Sequence, residues 1–446
     1  MKIVIAGAGD VGFHLAALLS FEQRDIVLID ANQDVLDYAA THLDVMTLRG
    51  DASSIEVLEQ AQVSRAGLVL AVTTSEKTNL LTAILAKKMG ARQTIARVKT
   101  MDYLEPEQRQ MFEDLGVDVL IAPSQLAAEE IQRLIGQCSF TDIYEFEEGK
   151  INLVGLTLGE FSKLTNVKLS ELYRIDPEVV LRPIAILRGH QTIIPNGETV
   201  LLRNDHIYFI TDKEDIEALV DIVGKKKVKV KNIMILGGTD LAVATAKLLE
   251  NDFNVTLVDR DKEHCKHLSE MLNHTLVING EPSNFDLLVE EGLDNMDAVI
   301  ALTNNSETNI IASLTAKNHG VYKTIAQVEN KEYTHISQNI GVDTLINKKL
   351  IAANNIFRYV RKGQVQAITS INGVDAEVIE FIVHKENQLT RKSLKDLHFP
   401  KSALVGGVIR GDESLIPDGN FRFQVDDKVI VFALPEAIAK VENLFR

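Results

Sequence analysis

Residues 1–12 read MKIVIAGAGDVG. A short apolar run, Lys2 to Ala6, leads straight into Gly7-Ala8-Gly9-Asp10-Val11-Gly12, a G-x-G-x-x-G at an expected strand-to-helix junction. The helix expected from Phe13 to Leu19 is apolar on most sides. A second apolar run, Asp25 to Ile29, ends in Asp30, 18 positions after the third glycine. Strand, glycine loop, helix and acid together form a dinucleotide-binding fingerprint. Gly7 lets the chain turn tightly, Gly9 lets a pyrophosphate approach the backbone, and Gly12 lets the helix pack close to the strand. The N–H groups that open the helix have no partner inside it and lie at its positive end, so a phosphate satisfies both. Asp30 can accept from both hydroxyls of an adenosine ribose, and like charge there disfavours the 2′-phosphate of NADP.

Beyond Asp30, strands and helices alternate. The sequence predicts a helix over Asp34–Thr41 and strands over Asp44–Leu48, Leu68–Val72, Thr94–Val98 and Asp118–Ile121, then a helix from Ser124 to Ile135. Such alternation predicts a doubly wound parallel sheet, with ligands beyond the carboxyl ends of its strands. Gly7–Gly12, Asp30, Gly50-Asp51-Ala52 and Thr73-Thr74 through Asn79 all fall at such ends. Arg97 sits at the end of the fifth strand. It reads either as a charge partner for a nucleotide phosphate or as a surface salt bridge with an acid such as Glu105. Asp10 is unusual inside a phosphate loop, and either bonds a hydroxyl or points outward. His14 reads as a helix-face residue. From about Asp142 to Asp221, alternating runs at Ile151–Leu158, Ile184–Leu187 and His206–Ile210 predict a small α+β domain.

Then the chain repeats. KNIMILGGTDLAVATAKLLE, from 231, aligns with KIVIAGAGDVGFHLAALLS, from 2; MDAVIALTNNSETNI matches AGLVLAVTTSEKTNL; KTIAQVENKEY matches QTIARVKTMDY; GVDTLINKKLIAANNI matches GVDVLIAPSQLAAEEI. Gly237 follows Gly7 by 230 positions, and Thr303 follows Thr73 by 230. Arg188, Pro195, Gly197 and Asp205 recur 222 positions later as Arg410, Pro417, Gly419 and Asp427. The expected architecture is α/β: two Rossmann-like doubly wound parallel sheets, each followed by a small α+β domain. The expected domains are 1–140, 141–224, 225–368 and 369–446.

The copies are unequal. The second loop is Gly237-Gly238-Thr239-Asp240-Leu241-Ala242, in which Thr239 replaces Gly9 and Ala242 replaces Gly12. Asp259 keeps the place of Asp30, but Arg97 becomes Gln327 and Asp51 becomes Glu281, followed by Pro282. The second site either binds a smaller or differently posed nucleotide, binds weakly, or is structural.

Composition bounds the function. With 446 residues the chain is too long for one core. Its net charge of −16 disfavours nucleic acid. The basic run Lys225, Lys226, Lys227, Lys229 and Lys231 reads as a linker or solvated strand edge. Cys138 and Cys265 lack the spacing of a redox pair or metal site and read as reduced thiols of a cytosolic protein. Neither a secretory leader nor a membrane span is expected. The domains after each Rossmann unit carry no clustered His/Asp or Lys pair, no HExxH or CxxC, no G-x-S-x-G and no P-loop. No residue is assigned a catalytic role, and the chain reads as a nucleotide sensor. The alternative is an NAD-dependent oxidoreductase of unknown substrate.

The GAGDVG and RGDAS motifs, the AVTTSEKTN loop, the IARVK strand and the repeated order resemble the RCK family, with KTN N-domains and TrkA_C C-domains. In its duplication the chain is similar to the regulatory subunits of bacterial Trk potassium uptake. The resemblance implies a cytoplasmic protein, peripheral to the membrane, that assembles as a ring under a membrane potassium-conducting Trk subunit; with two units per chain, a tetramer supplies eight. It implies binding of NAD(H) and of adenine nucleotides, ATP and ADP, whose state opens or closes the pore. It places nucleotide contacts at Gly7, Ala8, Gly9, Asp10, Val11, Gly12, Asp30, Asp51, Ala52, Thr73, Thr74 and Arg97. In the second copy it places them at Gly237, Gly238, Thr239, Asp240, Leu241, Asp259, Glu281, Thr303 and Asn304.

Overall fold

A computed structural model describes the chain except residues 21–24, 147–148, 161, 177–178, 180, 190, 213–214, 226–227, 331–332, 334–340, 361–364, 371–375 and 446. Lys226 and Lys227 of the basic run, and residues 331–332 of the repeated segment 323–333, lie outside the described residues.

The first copy runs β1 (Lys2–Ala6), α1 (Asp10–Ser20), β2 (Asp25–Asp30), α2 (Gln33–His42), β3 (Met46–Arg49), α3 (Ile55–Gln60), β4 (Ala66–Ala71), α4 (Glu76–Lys88), β5 (Thr94–Arg97), α5 (Pro106–Leu115), β6 (Val119–Ile121) and α6 (Pro123–Gly136). Its sheet has the order β3-β2-β1-β4-β5-β6, and every pair in it is parallel. The expected fold is therefore present. Helix α1 begins at Asp10, three residues before the sequence expectation, because the Phe13 N–H already bonds the Gly9 carbonyl at 2.8 Å. The central strands read as near-continuous apolar runs because both faces are covered: Val4, Ala6, Val27, Val69 and Ala71 are fully buried in one cluster with Leu58, Ala61 and Ala86.

The first small domain holds β7 (Asp142–Phe146), β8 (Ile151–Thr157), β9 (Arg182–Arg188), β10 (Gln191–Ile193), β11 (His206–Asp212) and α7 (Ile216–Val223). The second copy runs β12 (Asn232–Leu236), α8 (Asp240–Leu249), β13 (Asn254–Asp259), α9 (Lys262–Met271), β14 (Thr275–Asn279), α10 (Phe285–Glu290), β15 (Ala298–Ala301), α11 (Ser306–Asn318), β16 (Lys323–Gln327), β17 (Thr344–Ile346) and α12 (Lys348–Val360). Its sheet, β14-β13-β12-β15-β16-β17, repeats the first strand for strand. The last domain adds β18 (Val365–Ser370), β19 (Glu377–Ile382), β20 (Ala403–Arg410), β21 (Glu413–Leu415), β22 (Lys428–Ala433) and a closing helix, Pro435–Phe445. Its antiparallel order, β18-β19-β22-β20-β21, matches β7-β8-β11-β9-β10 of the first small sheet.

Compactness divides the chain differently from the repeat. One unit is Met1–Glu129 with Asn347–Val360; the other is Glu130–Ile346 with Arg361–Arg446. In the first unit, α12 of the second copy packs against α1 of the first copy. In the second unit, the two small sheets share one core, with Ile151, Leu153, Tyr208 and Ile210 packed among Val378, Ile409, Ile430 and Phe432. Gly406 and Gly407 make that approach possible: a Cβ on them would lie 2.2 Å from Ile210 Cδ1 and 2.7 Å from Ile151 Cδ1. The repeated Arg–Asp pairs seen in the sequence are salt bridges. The Asp205 and Asp427 carboxylates are fully buried, and each takes a two-pronged guanidinium, from Arg188 and Arg410, at 2.7–2.8 Å.

The same unit corrects the reading of the basic run. Lys225 is not a solvated linker residue: its ammonium donates to the Ser139 carbonyl at 2.7 Å, and burial pushes its pKa down. Lys323, which the sequence reading did not single out, is wholly buried on β16. It donates to the Phe140 carbonyl and to Thr344 Oγ1 (2.9 Å), while the Thr344 hydroxyl donates to the Thr141 carbonyl at 3.0 Å.

Candidate nucleotide site

The parallel register brings the loops of the first copy to one edge. Ala6 aligns with Ile29 and Ala71, and Ala71 with Ala96, so the carboxyl ends of β1, β2, β4 and β5 lie level. The ladder continues past them: Gly7 N–H donates to the Ile29 carbonyl at 2.8 Å, and Gly50 N–H to the Asp30 carbonyl at 2.9 Å.

The three glycines of the first loop differ in what demands them. Gly7 has φ +107°, and a Cβ there would lie 2.8 Å from Thr73 N. On Gly12 a Cβ would lie 1.7 Å from the Gly7 carbonyl oxygen. As this loop stands, its backbone leaves no room for a side chain at either. Gly9 is not required by packing, because a Cβ there meets nothing within 4 Å. The space beside Gly9 is where the backbone is open to a ligand, next to the unpaired N–H groups of the first turn of α1. Ala8 and Val11 are buried, at 4% exposure each, so only their backbones can face a ligand. The same holds for Ala52, which lies in the core against β1 and β2.

Asp30 has a role that the sequence reading missed. Its Oδ2 accepts from Ala8 N–H at 2.7 Å and its Oδ1 from Asn32 N–H at 2.9 Å. The carboxylate thus fastens the glycine loop to the end of β2, and each oxygen keeps a further lone pair for a ribose hydroxyl. Asp51 is exposed. Its Oδ1 takes the Ser53 N–H at 2.8 Å and the Ser53 hydroxyl at 2.7 Å, and these bonds, the backbone one first, hold its pKa below the usual range. Thr73 is held by Asn79, whose Oδ1 accepts from the Thr73 N–H (2.8 Å) and hydroxyl (2.6 Å). The Asn79 amide donates to the carbonyls of Thr73 (3.0 Å) and Arg97 (2.8 Å), stapling the ends of β4 and β5. Thr74 is exposed beside it. The AVTTSEKTN motif contained Asn79, but only the structure gives it this role.

Arg97 does not form the surface salt bridge that was one of its two readings. Among the described residues it makes no ion pair with Glu105 or any other acid, and its buried Nε has no hydrogen-bond partner. Burial alone pushes its pKa down. A half-buried cation lacking a counter-charge at the ligand edge fits an anionic group. Asp10 points outward: its carboxylate is 72% exposed and pairs with Lys349 Nζ of α12 at 2.5 Å. His14 lies half-buried on α1.

In the second copy Asp259 repeats the fastening, accepting from Gly238 N–H at 2.7 Å and Asp261 N–H at 2.9 Å. Asn309 repeats the staple to Thr303 and to the Gln327 carbonyl. The phosphate position differs. The Thr239 hydroxyl accepts from Ala242 N–H at 3.3 Å and donates to the Leu302 carbonyl at 2.8 Å, so the first turn of α8 is capped by its own chain. Gly238 is crowded, with Leu268, His264 and Asp259 all within 3.0 Å of a Cβ placed there. The His264 ring stands 3.5 Å from the Asp259 carboxylate. Leu241 is fully buried, while Asp240, Glu281 and Asn304 are exposed. Gln327 is buried and neutral where the first copy has its guanidinium. The loop of the first copy is thus open at Gly9 beside a guanidinium with no acidic partner among the described residues, while in the second copy the same frame is capped by Thr239 and carries a neutral amide.

Among the described residues no group of three or more His, Cys, Asp or Glu side chains could hold a metal, and no helix is long and apolar enough to cross a membrane.

Comparison with known proteins agrees with this frame. The TrkA-N domain family matches residues 3–123 and 233–348, and the TrkA-C domain family matches 152–224 and 378–446. The chain is 35% identical over 450 residues to a Trk system potassium uptake protein TrkA homolog of Archaeoglobus fulgidus, covering 100% of both chains. It is 33% identical over 451 residues to the Trk system potassium uptake protein TrkA of Halomonas elongata, covering 100% of this chain and 99% of that one. Among solved structures, the GsuK channel bound to NAD aligns with 100% of this chain and 78% of its own, at TM-score 0.60 and 17% identity. The GsuK RCK domain aligns at TM-score 0.61 and 17% identity, over 100% of this chain and 94% of its own. At such identity the structural likeness is one of fold.

Proposed function

The chain belongs to the TrkA family, and from that premise we propose that it is the cytoplasmic regulatory subunit of a potassium-uptake system, peripheral to the inner face of the membrane. It binds NAD(H), with ATP and ADP as alternative or additional ligands, mainly at the first Rossmann site. It assembles as a homo-oligomeric ring, a tetramer, on a membrane potassium-conducting Trk subunit. Its four domains are 1–140, 141–224, 225–368 and 369–446. Nucleotide contacts come from the backbone of Gly7–Gly12, from Asp30, and from Asp51, Thr73, Thr74 and Arg97; the matching second-copy positions form the lesser site.

The observation that carries this reading is Arg97, a half-buried guanidinium with no acidic partner among the described residues, on the edge where the Gly9 loop stands open. The name of one fold neighbour, a channel bound to NAD, supports the choice of ligand. The cradle binds and does not transform. A nucleotide that favours one of two shapes of the ring shifts their population by its difference in affinity for them, and so opens or closes the partner's pore.

Calorimetry of the full chain with NADH, NAD, ATP and ADP tests the site. Asp30→Ala is expected to weaken binding and to blunt potassium uptake in cells; unchanged binding in that variant would count against the assignment. Co-purification with a membrane potassium transporter, with and without each nucleotide, tests the partner. A stoichiometric hydride acceptor found with NADH would replace the sensor by an oxidoreductase.

A further inference from the structure

The first glycine loop carries a carboxylate, Asp10, at the first position of α1, where a bound phosphate would meet like charge. The structure balances it from the other half of the sequence. Helix α12 of the second copy lies against α1, and the Lys349 ammonium is paired with Asp10. Lys349 is only 26% exposed on its side chain, whereas the carboxylate it meets is 72% exposed. The ammonium is therefore held at the rim of the loop, on the residue that follows Gly9.

Its place in its own helix is unfavourable. Lys348 and Lys349 occupy the first turn of α12, the positive end of the helix dipole, where cations cost rather than contribute. The helix is stabilised there by Asn347, whose Oδ1 accepts from the N–H groups of Lys349 (3.1 Å) and Leu350 (3.2 Å). The repeat gives the contrast. Lys348 and Lys349 stand where the first copy has Pro123 and Ser124, a start with no charge. A cation against the dipole in one copy only, paired with a residue of the open loop, has a use outside its own helix.

We propose that Lys349 is a nucleotide-binding residue of the first site. Its ammonium passes from Asp10 to the outer phosphates of a bound nucleoside polyphosphate, so that the site grades ligands by the charge at their phosphate end. This rests on the reading of the first loop as the nucleotide site. It adds that the site is built from both copies of the repeat. A nucleoside triphosphate takes most of the ammonium's attraction. A dinucleotide, whose inner phosphates are each esterified on both sides, takes less and leaves the Asp10 pair in place.

The test is calorimetry of the full-length protein with ATP, ADP and NADH, at two salt concentrations. The variants are Lys349→Met, Lys349→Arg, Asp10→Asn, the Asp10→Asn/Lys349→Met double variant, and Asp30→Ala as the site control. Loss of one charge-assisted bond predicts about a tenfold weaker ATP affinity in Lys349→Met. The loss is expected to be smaller for ADP, smallest for NADH, to shrink at high salt and to be absent in Lys349→Arg. Asp10→Asn is expected to tighten ATP by releasing the ammonium, and Lys349→Met is expected still to weaken ATP in that background. If the Lys349 effect vanishes once Asp10 is neutral, the lysine only offsets the carboxylate and the proposal fails. Wild-type ATP affinity in Lys349→Met, with binding lost in Asp30→Ala, overturns the proposal and leaves the site standing. No nucleotide binding by the wild type overturns both.

Discussion

Replacing Gly12 by alanine adds one methyl group at the tightest point of the first loop. The new Cβ would lie 1.7 Å from the Gly7 carbonyl oxygen and 2.9 Å from its carbon. Even a tight contact of 3.0 Å requires a retreat of at least about 1.3 Å, the difference between 3.0 and 1.7. The loop has little room to give. Gly7 N–H is bonded to the Ile29 carbonyl at 2.8 Å, and Ala8 N–H to the Asp30 carboxylate at 2.7 Å. On the far side, the Thr73 backbone crowds Gly7. A shift of that size breaks the Ala8–Asp30 bond, worth about 1.5–3 kcal/mol because one partner is charged. Alanine returns up to about 1 kcal/mol in helix propensity, so the loop and α1 lose roughly 0.5–2 kcal/mol of local stability. Displacing the cradle amides costs nucleotide affinity at least about tenfold for each bond lost. Hydrogen exchange of the amides of β1, the loop and α1 reads the first effect locally, which whole-chain melting of a multidomain protein does not. Calorimetry with NADH and ATP reads the second. Ala242→Gly, the mirror change in the second copy, is expected to cost only the propensity difference. Wild-type nucleotide affinity in Gly12→Ala, with unchanged loop protection, would refute the assignment of these amides as the cradle.

Thr239→Gly removes the hydroxyl that caps α8. The cap loss is a few tenths of a kcal/mol, and the freed amides are expected to strengthen nucleotide binding at the second site, seen as a second or tighter calorimetric event. Gly9→Asp is expected to harm binding more than Thr239→Asp; the reverse order would make the second copy the main sensor. Burial pushes Lys323 down to about 8, so between pH 8 and 10.5 the unfolded chain binds more protons than the folded one. Stability is therefore expected to rise with pH across that window, by about 3 kcal/mol for a shift of about 2.5 pH units. Exchange rates around Phe140–Thr141 against pH, in the wild type and in Lys323→Met, check this; an equal slope in both would show that another group carries it.

The fold was legible because its signals are local. Apolar runs ending in glycine or acid, at repeated spacing, fix parallel strands whatever lies far along the chain. The glycine loop was legible for the same reason, since Gly7 and Gly12 answer to atoms within a few residues of the loop or on the next strand. The repeat shows Asn79 recurring as Asn309, 230 positions later, while Gly9 and Gly12 become Thr239 and Ala242, but the bonds these asparagines make show only in the structure. Lys225, Lys323 and Lys349 were not legible. Their partners, Ser139, Phe140 and Asp10, lie 86, 183 and 339 positions away, and no periodicity within a window spans such separations. The run containing Lys225 looks like any solvated charge cluster until one knows what folds back over it.

Comparing the two copies separates groups that hold the frame from groups that serve a ligand. The aspartate that ties the loop to β2, and the asparagine that ties β4 to β5, make the same bonds in both copies. Frame alone explains them, so their presence does not argue for a ligand. What distinguishes the first copy is Gly9, which packing does not demand, and Arg97, a half-buried cation with no acidic partner among the described residues. In the second copy a hydroxyl caps the helix and a neutral amide stands in the place of the guanidinium. Thr239 supplies a cap that Gly9 has no side chain to give, and Gln327 replaces a desolvated charge by a neutral amide whose buried Oε1 is likewise without a hydrogen-bond partner. The first copy keeps the open glycine and the desolvated guanidinium, the two features that the proposed nucleotide site would use.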